Sequence, residues 1–413
     1  MKQTFNSVSI IAILAYLFLF TACKEDNNEE NIIQNKQAYV VMLSMDGFRW
    51  DYTDLVNTPN FDKIAQKGIK SIVRPSFPTK TFPNHYSIAT GLYPDNHGIV
   101  NNTFWDPNRQ VIYKISDRDK VTDGYFYGGE PIWVTAEKQG VKAASYFWVG
   151  SEAEINGYRP SIWKLYDHNF PYYQRADSVI SWLQLPENKR PHLITWYVDQ
   201  PDSYGHKYGP NSDEIKTKVE ELDALLGYFM DEIDKLKISD EIDVIITSDH
   251  GMGEIRDDKF INLKNMFNSS WNIFLNGSNP VYNIWVKDNF KDSVEQVLSN
   301  INHIHYYTKN SIPERLHYMN NERCGQFVVM ADSGYALYNK SSVSSFGIAG
   351  AHGYDNENMD MDAMFYAYGP HFKNNYEHQR FNNVDIYSLI CNILDLQMAP
   401  NDGEFNNVKG LLK

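Results

Sequence analysis

The sequence predicts an α/β fold, a three-layer α/β/α sandwich with a largely parallel central sheet. Two observations support this prediction. Short apolar runs rich in β-branched and aromatic residues alternate with helix-like stretches, and several of these runs lead directly into aspartate or histidine. Strands that alternate with helices favour a parallel sheet covered on both faces. The predicted strands are residues 38–47, 142–150, 192–200, 243–251 and 363–370.

The clearest helix-like stretch covers residues 212–236. Its apolar residues recur every three or four positions, which places them on one face of a helix. They are Val219, Leu222, Leu225, Leu226, Phe229 and Ile233. The chain shows no internal repeat and no sign of a second globular domain.

Composition limits the functions that the chain can have. With 413 residues, of which 42% are hydrophobic, it can bury a large core. Its 38 Lys and Arg face 52 Asp and Glu, a formal net charge of −14. No positive field would attract a polyanion, so we expect no stable nucleic-acid partner, and local cations must hold any anionic substrate.

Residues 1–23 are predicted to be a targeting segment rather than part of the fold. Lys2 precedes an apolar stretch, residues 8–20, that is too short for an ordinary membrane span. Thr21-Ala22-Cys23 follows and resembles a bacterial lipoprotein signal, in which Cys23 would be lipidated, although Phe20 stands where leucine is usual. A signal anchor and a conventional cleaved signal peptide are the alternatives.

Residues 24–37 are charged and rich in asparagine, which predicts a flexible tether. Residues 38–413 would then form a single domain. We expect an exported monomer whose lipid is its membrane contact, anchored in the cell envelope at the outer membrane. The acidic start of the tether resembles segments that direct lipoproteins to the cell surface.

The other two cysteines predict no disulfide framework. Cys391 lies in the apolar run 384–396, which predicts a buried thiol on a helix, and Cys324 is far away in sequence. The sequence leaves open whether the two pair, and it contains no CxxC metal motif.

Polar residues follow three of the predicted strands. Asp46, Asp199 to Asp202, and Asp249-His250 each come after an apolar run. Ligands of open α/β sheets bind at the carboxyl ends of the strands, so these carboxylates are expected to share one site.

These residues and two further histidines are typical metal ligands. Asp202 and His206 stand four positions apart, which places them on one face of a helix, and His352 lies between glycines. Asp249-His250 alone would more often be an ordinary cap. Three aspartates and three histidines together suffice for two metal ions with three ligands each, an arrangement that stabilises an in-line displacement.

Seven segments, in order and spanning nearly all of residues 38–413, resemble the nucleotide pyrophosphatase/phosphodiesterase family of the alkaline phosphatase superfamily. They are MDGFR (45–49), PTKTFPNHY (78–86), GLYPDNHGI (91–99), WVGSEAEING (148–157), PDSYGHKYGP (201–210), SDHGM (248–252) and GAHGYDN (350–356). The resemblance implies an alkaline phosphatase-like fold and residues 38–413 as one catalytic domain.

The resemblance also implies residue roles. Thr81 is the nucleophile, and because a free threonine hydroxyl reacts poorly, a metal must activate it. Asn102 donates to the phosphoryl oxygen. One Zn²⁺ is held by Asp202, His206 and His352, and a second by Asp46, Asp249 and His250 together with Thr81. The two zinc ions would supply the local cations that the acidic chain otherwise lacks.

The implied reaction cleaves nucleotide phosphodiester and pyrophosphate bonds through a phosphothreonine and releases nucleoside 5'-monophosphates. Phe82 and Tyr166 match the aromatic residues that enclose the base, and Trp148 and Glu152 match other pocket residues. With 22 Phe and 28 Tyr in the chain, Phe82 and Tyr166 could instead be core residues. Val149 departs from the proline that is usual in the family.

Other residues near Thr81 carry less specific predictions. Lys80 faces either the substrate phosphate or solvent. The remaining polar residues are expected to be hydrogen-bonded scaffolding around Thr81; they are Asn84, His85 and His97.

Three alternative functions remain. The same metal site could cleave lipid head-group diesters of the glycerophosphodiester or lysophospholipid type. A phosphomonoesterase is disfavoured because no arginine matches a monoester-binding role. A non-catalytic surface lipoprotein is disfavoured because all seven ligand and nucleophile positions are filled.

Overall fold

A computed structural model of the protein describes residues 38–341 and 347–413. The predicted signal peptide with Cys23 and the predicted tether lie outside the described residues, so both stay predictions, as do the domain boundaries. Among the described residues, no helix has the length and apolarity that a membrane span requires.

The strands are short and distributed along the whole described chain. They are β1 Tyr39–Met45, β2 Ile69–Arg74, β3 Thr103–Asp106, β4 Val111–Lys114, β5 Ala143–Tyr146, β6 Ile162–Lys164, β7 Leu193–Val198, β8 Ile242–Thr247, β9 Gly253–Glu254, β10 Phe260–Asn262, β11 Phe274–Ser278, β12 Val281–Trp285, β13 Ile304–Tyr307, β14 Phe327–Ala331, β15 Ala336–Tyr338, β16 Gly350–Ala351, β17 Ala363–Tyr368, β18 Tyr376–Glu377 and β19 Phe381–Asn382.

The α-helices lie between these strands. They are α1 Tyr52–Leu55, α2 Pro59–Lys67, α3 Thr81–Thr90, α4 Pro94–His97, α5 Arg118–Val121, α6 Ile132–Lys138, α7 Tyr172–Leu183, α8 Asp202–Tyr208, α9 Asp213–Ile233, α10 Lys291–Leu298, α11 Asp385–Ile393 and α12 Phe405–Val408.

The central sheet has the strand order β18-β2-β17-β8-β1-β7-β5-β6, with β19 also paired to β2. All of its pairings are parallel except those of β17, which runs antiparallel to β2 and β8. All five predicted strands lie in this sheet, and the prediction of an α/β fold with a largely parallel sheet is confirmed. The direction of β17 was not predicted, because an apolar run does not encode strand direction.

Helices cover both faces of the sheet. Along β1 the buried side chains alternate between two core clusters: Val40 and Met42 join residues of α3, α6 and α11, whereas Val41 and Leu43 join residues of α2, α7 and α9. The six apolar residues predicted for the helix 212–236 are all buried, on α9. This alternation produces the predicted three layers.

A second sheet was not predicted from the sequence. Strands β11, β12, β14 and β13 form an antiparallel sheet in that order. One face packs with α10 in a core that includes Ile284, Val294 and Val329, and the other face contributes Val281 and Met330 to the main core. Three of its four short strands contain asparagine or histidine among apolar residues, so a search for apolar runs does not detect them.

The two described cysteines are both buried and free. Cys391 lies on α11, as predicted, and burial raises the pKa of its thiol to about 12. The structure therefore pairs neither thiol with the other.

Candidate active site

Three adjacent strands deliver the predicted ligands to one edge of the sheet. Strands β8, β1 and β7 are neighbours and parallel. Asp46 directly follows β1, Asp249 and His250 follow β8, and Asp202 begins α8 four residues after β7 ends. The carboxyl ends of parallel strands lie side by side, so their loops converge as expected.

The first predicted ligand set is assembled in the structure. The Oδ1 atom of Asp202 lies 3.5 Å from His206 Nε2 and 3.5 Å from His352 Nε2. The ligand atoms of these three residues all lie within 4.8 Å of one another. The spacing of Asp202 and His206 on α8 therefore places both side chains where one ion could bind.

The second cluster differs in membership from the predicted one. Asp46 Oδ1 lies 3.5 Å from His250 Nε2, and the cluster whose ligand atoms lie within 4.8 Å of one another is Asp46, Asp202 and His250. Asp249 Oδ2 is nevertheless 3.0 Å from His250 Nε2. Asp202 thus belongs to both clusters, and Asp249 adjoins the second.

Each of the three ligand histidines is oriented by a backbone carbonyl. Because a carbonyl oxygen can only accept, each Nδ1 carries the proton and each Nε2 is left with a lone pair directed at the carboxylates. This arrangement is usual for metal-binding histidines. The Nδ1 contacts are His206 to Gly350 O, His250 to Gly251 O and His352 to Thr79 O, each 2.8 Å.

The carboxylates also fit a cation. Asp46 Oδ1, Asp202 Oδ1 and Asp249 Oδ2 are buried and have no hydrogen-bond partner among the described residues. Burial, followed by repulsion from Asp249 and Asp202, raises the pKa of Asp46 well above its usual value. Neighbouring buried carboxylates repel one another, and a bound cation would offset that repulsion.

Asp249 behaves differently from Asp46. Burial opposes its ionisation, but nearby His250 and His85 outweigh burial and hold its pKa well below the usual value. Its other oxygen, Oδ1, accepts from the backbone N–H of Gly47 at 3.1 Å. The carboxylate of Asp249 is therefore held in its charged, metal-binding form.

Thr81 is the first residue of α3, and its Oγ1 lies 3.3 Å from His250 Nε2. A helix N-terminus carries unpaired backbone N–H groups and a partial positive charge, which favour phosphate oxygens. The structure therefore places this hydroxyl beside the second cluster, at the end of a helix suited to an anion.

The turn before Thr81 is held by Asn84. Its amide donates to Pro78 O at 3.0 Å and to Lys80 O at 2.8 Å, and its Oδ1 accepts from Ser76 N–H at 2.7 Å. These contacts link residues 76–80 to α3 and agree with the predicted scaffolding role.

His85 and His97 are also buried against α3. His85 Nδ1 lies 3.0 Å from Thr81 O and 3.3 Å from Asp249 Oδ2, so it bridges the helix and the ligand set. His97 Nε2 lies 3.0 Å from Ser87 Oγ, and burial lowers the pKa of this imidazole to about 3. His97 thus stays neutral inside the core.

Asn102 is anchored at the same helix end. Its Oδ1 accepts from the backbone N–H of Phe82 at 2.9 Å. With the oxygen engaged, the NH₂ group is the part of the amide that remains to donate to a ligand.

A cavity of about 290 Å³ adjoins the site. It is lined by Asp46, Thr81 and Asp202 as well as by the four predicted pocket residues: Phe82, Trp148, Glu152 and Tyr166. Phe82 and Tyr166 are therefore partly exposed to this cavity rather than being core residues. The Thr81 hydroxyl, the carboxylates of Asp46 and Asp202 and the aromatic walls therefore border one space.

Two of the pocket residues are fixed by further contacts. Trp148 Nε1 donates to His85 O at 3.0 Å. Glu152 Oε1 accepts from the backbone N–H of Tyr166 at 2.7 Å and pairs with Arg118. Val149, which departs from the family's proline, still lines the cavity.

Lys80 is placed differently from either predicted position. Its side chain is buried, its ammonium donates to Asn279 O, and it does not line the cavity. Burial lowers its pKa to about 7, with Asp202 acting in the opposite direction. A carbonyl partner from a loop far away in sequence could not be recognised from the segment around Thr81.

Sequence reasoning missed Tyr197 and Arg118, which both line the cavity. Tyr197 donates to Asp46 Oδ2 at 2.6 Å. The alternation of side chains along the strand 192–200 could have indicated Tyr197, since it shares a face with Asp199. Asp199 itself accepts from Tyr172 and contacts Arg175 instead of joining either cluster.

Comparison with known proteins agrees with this geometry. Residues 40–355 match the family model described as type I phosphodiesterase/nucleotide pyrophosphatase. The chain is 38% identical to a venom phosphodiesterase of Crotalus durissus collilineatus over 92% of its own length and 47% of that protein. It is 37% identical to ectonucleotide pyrophosphatase/phosphodiesterase family member 3 of Bos taurus, over 91% of its length and 44% of that protein.

The chain thus spans about half the length of the curated relatives that it matches. A solved structure of murine ectonucleotide pyrophosphatase/phosphodiesterase 5, an inactive threonine-to-alanine variant in complex with AMP, superposes with a TM-score of 0.86 at 32% identity. The superposition covers 92% of this chain and all of that one. On these matches, the chain belongs to the type I phosphodiesterase/nucleotide pyrophosphatase family.

Proposed function

We propose that the protein is a metal-dependent hydrolase that cleaves nucleotide phosphodiester and pyrophosphate bonds and releases nucleoside 5'-monophosphates. The observation that carries the proposal is the shared cavity: Thr81, Asp46 and Asp202 line the same space as Phe82 and Tyr166. The AMP bound by the murine relative and the activity named for the venom proteins support this assignment.

Two zinc ions would be held by the two clusters, with Asp249 completing the second. When bound, they would supply positive charge that stabilises the phosphoryl oxygens and favours the ionised hydroxyl. The donor set of aspartate oxygens and histidine Nε2 atoms is one that zinc prefers.

The chain's own residues would then carry two in-line steps. The Thr81 hydroxyl gives up its proton to solvent and Oγ1 attacks phosphorus; a new O–P bond forms, and the departing oxygen leaves with the electron pair of the bond that breaks. Water next attacks the phosphothreonine, releases the monophosphate and returns a proton to Oγ1. Asn102 donates its NH₂ group to a phosphoryl oxygen, and Phe82 and Tyr166 hold the base between them, a contact worth about 1 to 3 kcal/mol per base.

The test compares kcat/KM for three nitrophenyl esters: a nucleoside 5'-monophosphate ester, a glycerophosphocholine-type diester and simple nitrophenyl phosphate. We expect a preference of about 100-fold or more for the nucleotide ester, which corresponds to about 2.7 kcal/mol. Phe82→Ala should reduce that preference while leaving the rate on a small methyl nitrophenyl diester largely unchanged. A preference for the glycerophosphocholine-type diester would instead assign the site to lipid head groups.

We also propose export and lipid anchoring through Cys23. The lipoprotein-like signal at residues 1–23 supports this proposal. Cys23→Ser should abolish labelling by a radioactive fatty acid and move the protein out of the membrane fraction. If the variant remains in the membrane fraction, an uncleaved signal anchor is the correct interpretation.

A further inference from the structure

A second group of polar residues lies where β2 and β19 end, outside the catalytic cavity. Arg74 and Asn382 are partners in the parallel register of these two strands, so their side chains project from the same face of the sheet. Both residues line two adjoining cavities of about 240 Å³ and 110 Å³. Neither residue lines the cavity that contains Thr81.

Arg74 has donors without acceptors. Its Nε is buried and has no hydrogen-bond partner, and no carboxylate of the described residues forms an ion pair with it. The other two arginines of these cavities are paired: Arg315 with Asp355, at 2.7 Å, and Arg380 with Asp362. The Nε of Arg380 is also buried and without a hydrogen-bond partner among the described residues. The charge of Arg74 acts on Asp362 and opposes the burial that raises the pKa of that carboxyl, but the Nε of Arg74 still has no acceptor among the described residues.

Asp385, the acidic residue nearest to Asn382 in the chain, forms no ion pair with Arg74. Asp385 accepts from the backbone N–H of Asn382 at 3.1 Å, from that of Glu404 at 2.7 Å and from the amide of Asn407 at 3.1 Å. Its oxygens are thus occupied by donors within the fold. The side-chain amide of Asn382 makes no hydrogen bond with the described residues and can donate into the cavities beside Arg74.

We propose that Arg74 and Asn382 form a binding site for a small phosphate-type anion. A guanidinium recognises tetrahedral oxyanions through paired N–H groups, and an amide supplies a further donor. Each cavity is smaller than the catalytic cavity, at about 240 Å³ and 110 Å³ against about 290 Å³. The site therefore suits orthophosphate or the terminal group of a phosphomonoester.

The site adjoins the scaffold that holds the nucleophile. Asn383, the residue after Asn382, donates to Asn84 Oδ1 at 2.9 Å and accepts from Ser76 Oγ at 2.7 Å. Asn84 in turn fixes the turn before Thr81. An anion at Arg74 would thus bind next to this network, in cavities that none of the predicted metal ligands lines.

The test is equilibrium dialysis of the zinc-loaded protein with radioactive orthophosphate, repeated after chelation of the metal. Chelation should abolish phosphate binding at the two metal clusters, whereas binding at Arg74 persists. Arg74→Gln, and separately Asn382→Asp, should weaken the chelator-resistant binding at least tenfold. Arg256→Gln is the matched control, because Arg256 is exposed and pairs with Asp258.

Diesterase turnover of the zinc-loaded variants shows whether each one folds, since neither residue lies in the catalytic cavity. Loss of chelator-resistant binding in the folded variants supports the site. Chelator-resistant phosphate binding that is retained in either folded variant, or that is absent from the parent protein, overturns the proposal. Dialysis with AMP in place of orthophosphate distinguishes a free anion from a phosphomonoester as the ligand.

Discussion

At the scale of single residues, Asp202 and Gly47 show how closely the site is packed. Asp202 N–H donates to Asp46 O at 3.0 Å, which brings the loops after β7 and β1 together. Gly47 has a φ of +68°, and a Cβ atom there would lie 2.9 Å from Asp202 Cβ. Only glycine accommodates both the backbone conformation and this approach, so the position after Asp46 allows Asp202 to join both clusters.

Replacing the nucleophile is the most direct test at this scale. Thr81→Ala should reduce diesterase kcat by about a thousandfold or more, because the hydroxyl that forms the covalent bond is absent. Thr81→Ser is the matched control and should retain measurable turnover and a trappable phosphoenzyme. An unchanged rate in Thr81→Ala would contradict the proposed mechanism.

Tyr197 provides a test of a positioning residue. Its hydroxyl donates to Asp46 Oδ2 at 2.6 Å, so Tyr197→Phe should weaken zinc binding by about 10- to 100-fold, as is usual when a contact that orients a metal ligand is lost. Competition with a chelating dye measures the zinc affinity directly. The control is Tyr172→Phe, since Tyr172 donates to Asp199, which belongs to neither cluster. Equal zinc affinities in both variants would show that Tyr197 does not position Asp46.

At the scale of elements, a side chain of α9 caps the N-terminus of α2. The N-cap residue of α2, Thr58, makes no side-chain capping bond. Instead Asp223 of α9 accepts from the backbone N–H groups of Asn60 at 3.0 Å and Phe61 at 2.9 Å. The unpaired amide groups at a helix start are thus satisfied by a neighbouring helix rather than by the local sequence.

Removal of this capping contact is expected to destabilise the protein. Asp223→Ala should lower the free energy of unfolding by about 1 to 3 kcal/mol, because buried N–H groups lose their acceptor. Urea unfolding followed by circular dichroism measures the change. Asp231→Ala, an exposed aspartate on the same helix, is the control and should change stability little. A similar result for both variants would refute the capping role.

At the scale of the whole molecule, metal binding and stability are coupled. The buried carboxylates of the two clusters repel one another without a cation, and a ligand that binds only the folded state stabilises it by about 4 kcal/mol at a thousand times its dissociation constant. Chelation should therefore lower the melting temperature by several degrees. Calorimetry with and without chelator checks this expectation without relying on activity.

Asp202→Asn is the informative variant for this coupling. It removes a ligand that both clusters share, so most of the metal-dependent shift should disappear. Its metal-free form should melt at or above the temperature of the metal-free parent, since one of the charges that raise the pKa of Asp46 is gone. A full metal-dependent shift in this variant would exclude Asp202 as a shared ligand.

Part of the fold followed from local pattern, whereas the division of the ligands between two metals came from the resemblance to the family. The five strands and the apolar face of α9 depend on side-chain periods within a few residues, and these appear where they were expected. The antiparallel sheet of β11 to β14 did not follow, because its strands are short and mixed in polarity. The direction of β17 and the burial of Lys80 also depend on partners far away in the chain.

By itself, the sequence determined five strands of the central sheet, the apolar face of α9 and the polar residues that follow three of those strands. Only the tertiary structure decided that Asp202 joins both clusters, that Tyr197 supports Asp46 and that Arg74 stands opposite Asn382. Local periodicity encodes which face of an element is buried. The order in which strands pair brings together residues more than a hundred positions apart, and no local pattern carries that information.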